Sequence, residues 1–339
     1  MELRRPYVLF LGDAVDPLAV KTARGILDWR PQYCLAQYRL PGCRVDFGLP
    51  DLPLDQAAAA GAKTLVVGLA NSGGRLEPRY VEPLRTALAC GLDVAAGLHQ
   101  RLGEFPALAE AADRFGRQLY DVRFADRRFA TGNGQKRTGL RLLTVGTDCS
   151  CGKKYTALAL ERDLRACGVN AGFRATGQTG ILIAGCGVAI DAVVADFISG
   201  ATEWLSPAND PTHWDLIEGQ GSLFHPAFAG VSLGLLHGSQ PDAFVVCHEP
   251  TRTTMRGVRA PLPSIGAVIE ATVRHGRLTN PGIRCVGIAL NTVAFDAADA
   301  QAVIRETAAA HPGLPVADPM RQGTQAFIPA LREIGGVPA

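Results

Sequence analysis

The stretch Val145-Gly146-Thr147-Asp148-Cys149-Ser150-Cys151-Gly152-Lys153-Lys154-Tyr155-Thr156 constrains this chain more than any other. An apolar run, Leu140 to Val145, leads into it, and a helical pattern with Ala157, Leu158, Leu160 and Leu164 leaves it. Strand, glycine loop, lysine and helix in that order are the layout of a phosphate-binding loop. Backbone N–H groups and a helix N-terminus face an anion there, and the lysine adds a point charge. Two departures matter. Five residues rather than four separate the glycines, and the position after Gly152-Lys153 is Lys154 in place of a serine or threonine. The second change removes the hydroxyl that ordinarily holds magnesium on a bound nucleotide.

Around this loop the chain alternates short strands and helices, which predicts an α/β protein with parallel sheets covered on both faces. Strands are expected at Tyr7–Leu11, Cys34–Leu40, Thr64–Val67, Leu92–Ala96 and Gln118–Val122, with helices between them. At 339 residues two domains are expected. The division reads as a Rossmann-like N-terminal parallel-sheet domain over 1–132, a linker over 133–139, and a P-loop NTPase-like α/β domain over 140–339. The linker region, with Arg127, Arg128, Lys136 and Arg137, lacks apolar periodicity, so its charges are expected to be solvated. In the first domain the turn Gly12-Asp13-Ala14-Val15-Asp16 lacks the glycines a pyrophosphate needs and carries two acids, which argues against a dinucleotide site. The turn Asn71-Ser72-Gly73-Gly74 either lines a cleft or is a surface turn.

Composition excludes several classes. Apolar residues make up 47% and charged residues 19%, and the formal net charge is +2 with no basic run, so no nucleic-acid footprint is expected. No apolar run reaches membrane-spanning length, and no signal peptide stands out. Nine cysteines without framework spacing suggest reduced thiols and a cytoplasmic protein. No metal is expected. Cys149 and Cys151 are too few for a structural zinc site, and His225, His237 and His248 show no tight ligand spacing.

In an open parallel sheet ligands bind beyond the carboxyl ends of the strands. The segments expected there are Gly146–Lys153, Thr176–Gly180, Glu218–Ser222, His248–Arg252 and Asn291. Glu218 ends a buried strand; it is read as a metal carboxylate, a proton acceptor for an amine, or a cap on the next turn. Gln178 is either a donor to a carbonyl or phosphate, or part of a self-stabilised turn. His225 is a general base near neutral pH or a loop-fixing residue before Pro226. Arg174, Arg252 and Arg256 suit carboxylate recognition, with surface ion pairs the alternative for each.

These motifs carry a resemblance. The Gly146-Thr147-Asp148 loop and Glu218-Gly219-Gln220-Gly221 resemble dethiobiotin synthetase. A closer resemblance covers nearly the whole chain, to a bacterial and archaeal P-loop family with Gly-Thr-Asp-Cys…Gly-Lys-Lys, Thr-Gly-Gln-Thr-Gly, Asp-Phe…Gly…Glu and Glu-Gly-Gln-Gly-Ser-Leu-x-His-Pro. Here these stand at Gly146–Lys154, Thr176–Gly180, Asp196-Phe197 with Gly200 and Glu203, and Glu218–Pro226. The resemblance implies a Rossmann-like domain followed by a P-loop domain, and an N-acetyltransferase acting on D-glutamate with acetyl-CoA as co-substrate. The cradle Gly146, Thr147, Asp148, Cys149, Ser150, Cys151, Gly152, Lys153, Lys154 and Tyr155, with Asn291, would hold the cofactor. Glu218 and His225 are the candidate bases, Gln178 an oxyanion donor, and Arg174, Arg252 and Arg256 the carboxylate ligands. The partner is then a small acidic amino acid, with no nucleic acid and no membrane; a homo-oligomer is the prior for such enzymes. Two alternatives stand beside this one. One is a ligase or kinase using ATP and magnesium, like dethiobiotin synthetase; the other is a nucleotide-binding regulator.

Overall fold

A computed structural model describes residues 2–69, 74–125 and 127–337. The turn at Asn71-Ser72-Gly73 lies outside them. The chain forms two compact units: residues 1–127 with 177–192, and residues 128–176 with 193–339. Residues 177–192, which the sequence reading leaves inside the second domain, pack with the first unit.

In the first unit the elements run β1 (Tyr7–Gly12), α1 (Lys21–Trp29), β2 (Cys34–Arg39), α2 (Leu54–Ala59), β3 (Thr64–Val67), α3 (Val81–Ala89), β4 (Asp93–Ala96), α4 (Pro106–Phe115) and β5 (Leu119–Asp121). The strands pair in parallel in the order β2-β1-β3-β4-β5. β1 is buried along its whole length, as a strand covered by helices on both faces must be. Val8, Phe10, Leu65, Val67 and Val94 build the core with Leu84, Leu88 and Leu108 from the helices. The acid in the first turn is engaged: Asp13 accepts from Tyr80 Oη at 2.5 Å and pairs with Arg79 at 2.6 Å. Both Asp13 carboxylate oxygens are thus engaged within the first unit.

In the second unit the elements are β6 (Leu140–Gly146), α5 (Lys153–Ala166) and β7 (Ala171–Arg174). The helix α6 (Gln178–Ala184) belongs to the first unit. The second unit continues with α7 (Ile198–Leu205), β8 (Trp214–Ile217), α8 (Ala229–Ser239), β9 (Ala243–His248), α9 (Ile265–Gly276), β10 (Arg284–Leu290), α10 (Ala297–Ala310), β11 (Val316–Ala317) and α11 (Ile328–Arg332). Its six strands are parallel in the order β11-β10-β9-β6-β8-β7. From β6 the chain winds to one side, through β7 and back to β8, and then crosses to β9 on the other side. The point of reversal is the end of β6, which is where such sheets bind ligands. Among the described residues no helix is long and apolar enough to cross a membrane.

The expected linker is exposed over 133–136 and at 138, with Arg127, Arg128 and Lys136 exposed as expected, but its end is anchored by Arg137 and Arg141. Arg141, on β6, is fully buried, and its guanidinium donates to the carbonyls of Arg137, Thr138, Gly139, Ser206 and Pro207 and to Ser206 Oγ. Arg137 donates to the carbonyls of Ser206 and Gly238, and Lys136 pairs with Asp242 at 3.0 Å. A buried guanidinium is tolerated only when its donors are satisfied, and here the carbonyls of 137–139 and 206–207 with Ser206 Oγ satisfy them. Two helices, α6 and α8, escape the sequence reading. Glycines in both segments mimic loops.

Candidate active site at the phosphate loop

β6 delivers Gly146 to the carboxyl edge, and α5 opens at Lys153 from a left-handed Gly152 at φ +111°. That backbone conformation is cheap only for glycine. Thr147 donates its N–H to the Cys247 carbonyl at 3.1 Å, and its Oγ1 lies 3.0 Å from His248 Nδ1. The loop is thus tied to the end of β9. Opposite it, Gly219 follows β8 so closely that a Cβ there would lie 1.6 Å from the Thr144 carbonyl oxygen. Glycine at this position is a packing requirement.

Asp148 is 1% exposed. Its Oδ2 accepts from Arg252 Nη1 at 2.7 Å and from the Arg256 N–H at 2.8 Å. Burial by itself would raise its pKa. The Arg252 hydrogen bond and the N–H groups of Arg256 and Cys149 outweigh that and hold it below the ordinary carboxylate range. Its Oδ1 is buried and makes no hydrogen bond of standard geometry. Lys153 is also buried, and its Nζ donates to the Asp148 carbonyl at 2.6 Å. Lys154, in the position of the usual hydroxyl, instead places its ammonium over the Tyr155 ring, 4.6 Å from the centroid. Thr156 does not replace that hydroxyl, because its Oγ1 donates back to the Gly152 carbonyl.

Glu218, 4% exposed, accepts the Thr176 N–H through Oε2 at 3.0 Å, so it links the ends of β7 and β8 beside the loop. Ser222 Oγ donates to the Thr147 carbonyl at 3.3 Å, and Gln220 Nε2 donates to Thr176 Oγ1 at 3.1 Å. Asn291, beyond β10, stands next to Gly152, whose added Cβ would come 3.8 Å from the Asn291 Cβ. Thr176, Glu218–Ser222, His248–Arg252 and Asn291 therefore meet around Gly146–Lys153, while four of the expected site residues are placed differently from the sequence reading.

Arg174 does not point to this edge. Its Nε pairs with Asp215 at 2.7 Å, within a network that includes His213 and Ser206. Arg252 is engaged by Asp148, by the Cys149 carbonyl and by Glu249. Gln178 begins α6 in the first unit. His225, buried to 1%, has both ring nitrogens in contact with backbone: Nε2 lies 3.0 Å from the Arg256 carbonyl, and Nδ1 accepts the Ala227 N–H at 3.2 Å. That arrangement fits a loop-fixing role.

Sequence reasoning gave His248 no role. It is half-buried at the end of β9 against Thr147, and burial lowers its pKa below 6.5, so the ring is neutral at neutral pH. Its position at a strand end was visible in the sequence; its contact with the loop was not. Arg256 and Arg259 are exposed and, with Met255 and Val258, line an open cavity of about 550 Å³. Arg256 reaches the loop through Nη1, 2.8 Å from Ser150 Oγ.

The fold and site define a two-unit α/β protein whose second unit carries a P-loop. The chain belongs to the DUF1611 family. Residues 128–328 match its P-loop domain, described as a domain of unknown function, and residues 38–125 match its Rossmann-like domain, described likewise. Two full-length relatives bear the name D-glutamate N-acetyltransferase. One, from Pseudoalteromonas sp, is 48% identical over 98% of this chain and 100% of its own length. The other, from Tritonibacter scottomollicae, is 48% identical over the same shares. Among solved structures, a DUF1611 family protein from Anabaena variabilis ATCC 29413 superposes with a TM-score of 0.83 at 30% identity, covering 97% of this chain and 100% of that one.

Proposed function

We propose that this protein is a D-glutamate N-acetyltransferase that takes its acetyl group from acetyl-CoA. The observation that carries this reading is the end-to-end match, through both units, to two proteins of that name. The loop chemistry supports it. Coenzyme A offers a pyrophosphate and a 3′-phosphate, which a cradle of N–H groups and Lys153 can hold without cleaving them. Lys154 in place of a magnesium-binding hydroxyl suits phosphate binding without hydrolysis.

In the reaction the amine nitrogen of D-glutamate attacks the thioester carbonyl. The C–S bond then breaks, coenzyme A leaves as the thiol, and the amine proton passes to a base. We assign that base to Glu218 or His248, the carboxylate and the neutral imidazole beside the loop. Loop N–H groups are the oxyanion donors in this reading. Arg256 and Arg259 are the cations for the substrate carboxylates, because both are exposed and line one cavity, and Arg256 reaches Ser150 of the loop. We place the reaction in the cytoplasm, a compartment that suits nine free cysteines.

The test is thiol release from acetyl-CoA by purified protein with D-glutamate, with L-glutamate as control, in the presence and absence of magnesium. D-glutamate-dependent release without ATP is expected. No release under either condition refutes the assignment of this substrate.

A further inference from the structure

We propose that Asp148, Cys149 and His225 form a binding site for a divalent transition metal of the zinc class, at the tip of the phosphate loop. One ligand atom from each, a carboxylate oxygen, the thiol sulfur and a ring nitrogen, lies within 4.8 Å of the other two. The inference is independent of the acetyl-transfer reading, since it concerns what these side chains coordinate.

Four observations carry it. The three donors come from the loop and from the segment after β8, and they converge although His225 is far from the other two in sequence. No ligand spacing was therefore visible there. Second, Asp148 has one oxygen that makes no hydrogen bond of standard geometry although the residue is 1% exposed, and a buried carboxylate oxygen short of partners is costly unless a cation or donor meets it. Third, its other oxygen is held by Arg252 and the Arg256 N–H, so the carboxylate is oriented in advance by partners outside the cluster. Such outer contacts are the usual support of a metal ligand.

The fourth is the chemistry of the donor set. A mixed nitrogen, sulfur and oxygen set selects zinc or cobalt over magnesium or calcium, which take oxygen ligands. Aspartate and thiolate together bring two negative charges to a dication. Three protein ligands leave a fourth tetrahedral position for water or an anionic oxygen. On binding, the Cys149 thiol proton is released to solvent as the metal–sulfur bond forms, and His225 exchanges one of its two backbone contacts for the metal.

The test uses the full chain, stripped with a chelator and titrated with cobalt(II). One equivalent is expected to bind with a thiolate-to-cobalt charge-transfer absorption that zinc(II) abolishes by displacement. Cys149→Ser should remove that absorption and weaken zinc binding at least about tenfold, with circular dichroism confirming the fold, while Cys151→Ser should keep it. A wild-type titration without the charge-transfer band, or a band that survives in folded Cys149→Ser, overturns the proposal. A second measurement needs no variant. Zinc should slow alkylation of Cys149 in the wild-type protein at least tenfold, read by peptide mass spectrometry, and an unchanged rate refutes the site.

Discussion

Lys153 donates to the Asp148 carbonyl, so the loop's principal cation is parked on the loop's own backbone. In the proposed acetyl-CoA complex, phosphate binding would exchange that contact for a charge-assisted one. Hydrogen bonds to charged groups contribute about 1.5–3 kcal/mol, so Lys153→Ala should weaken acetyl-CoA binding about 10–100-fold. Calorimetry against a folded variant checks this, and unchanged affinity would remove the loop from the cofactor site. His248 gives a pH prediction. Burial depresses its pKa below 6.5, so its neutral form persists as pH falls through the ordinary histidine range. The acid limb of kcat/KM attributable to His248 should therefore lie below pH 6.5. His248→Gln should lower kcat/KM about 10²–10⁴-fold and abolish that limb. If Glu218 is the base, the limb survives in that variant. Residue identities at the strand ends were legible in sequence because glycine, lysine and acid cluster there. Side-chain direction was not: Arg174 turns away to Asp215, and His225 rests its Nε2 on the Arg256 carbonyl, both through partners that no local pattern encodes.

The strands were the most legible elements, since parallel strands buried on both faces read as short apolar runs bounded by turn residues. The helix α5 was equally clear from its apolar spacing and from Gly168, at φ +77°, just past its end. α8 failed as a sequence signal because Ala229–Ser239 holds glycines and serines and no apolar stripe. α6 failed because its Gln-Thr-Gly opening looks like the turn it follows. The segment before β6 shows how a pattern can mislead in the other direction. Its basic residues suggest solvent, yet the buried Arg141 guanidinium organises the backbone of 137–139 and of 206–207. Arg141→Met should strand those carbonyls and destabilise the second unit by about 3–5 kcal/mol. The midpoint of urea unfolding reports it, and a loss under 1 kcal/mol would mean that water satisfies the carbonyls equally well.

At the scale of the molecule, the alternation of strands and helices foretold two parallel-sheet units. The path of the chain between them was not legible, because a short helix returning to an earlier unit leaves no compositional mark. That return ties α6 into the first unit. Ile181, Leu182 and Ile183 are buried, Gly97 abuts the Gln178 side chain, and Arg5 donates to the Ala184 carbonyl at 2.9 Å. A fragment of residues 1–127 should therefore expose apolar surface and bind a hydrophobic dye. The same fragment carrying 177–192 on a flexible linker should fold cooperatively. Equal behaviour of the two fragments would show that α6 is dispensable to the first unit. The chain passes from one unit to the other at 127/128, 176/177 and 192/193. No single cut separates two intact pieces, so recombination at the boundary between the two family domains would strand α6 with the wrong partner. Any engineered division of the chain therefore has to move 177–192 together with the first unit.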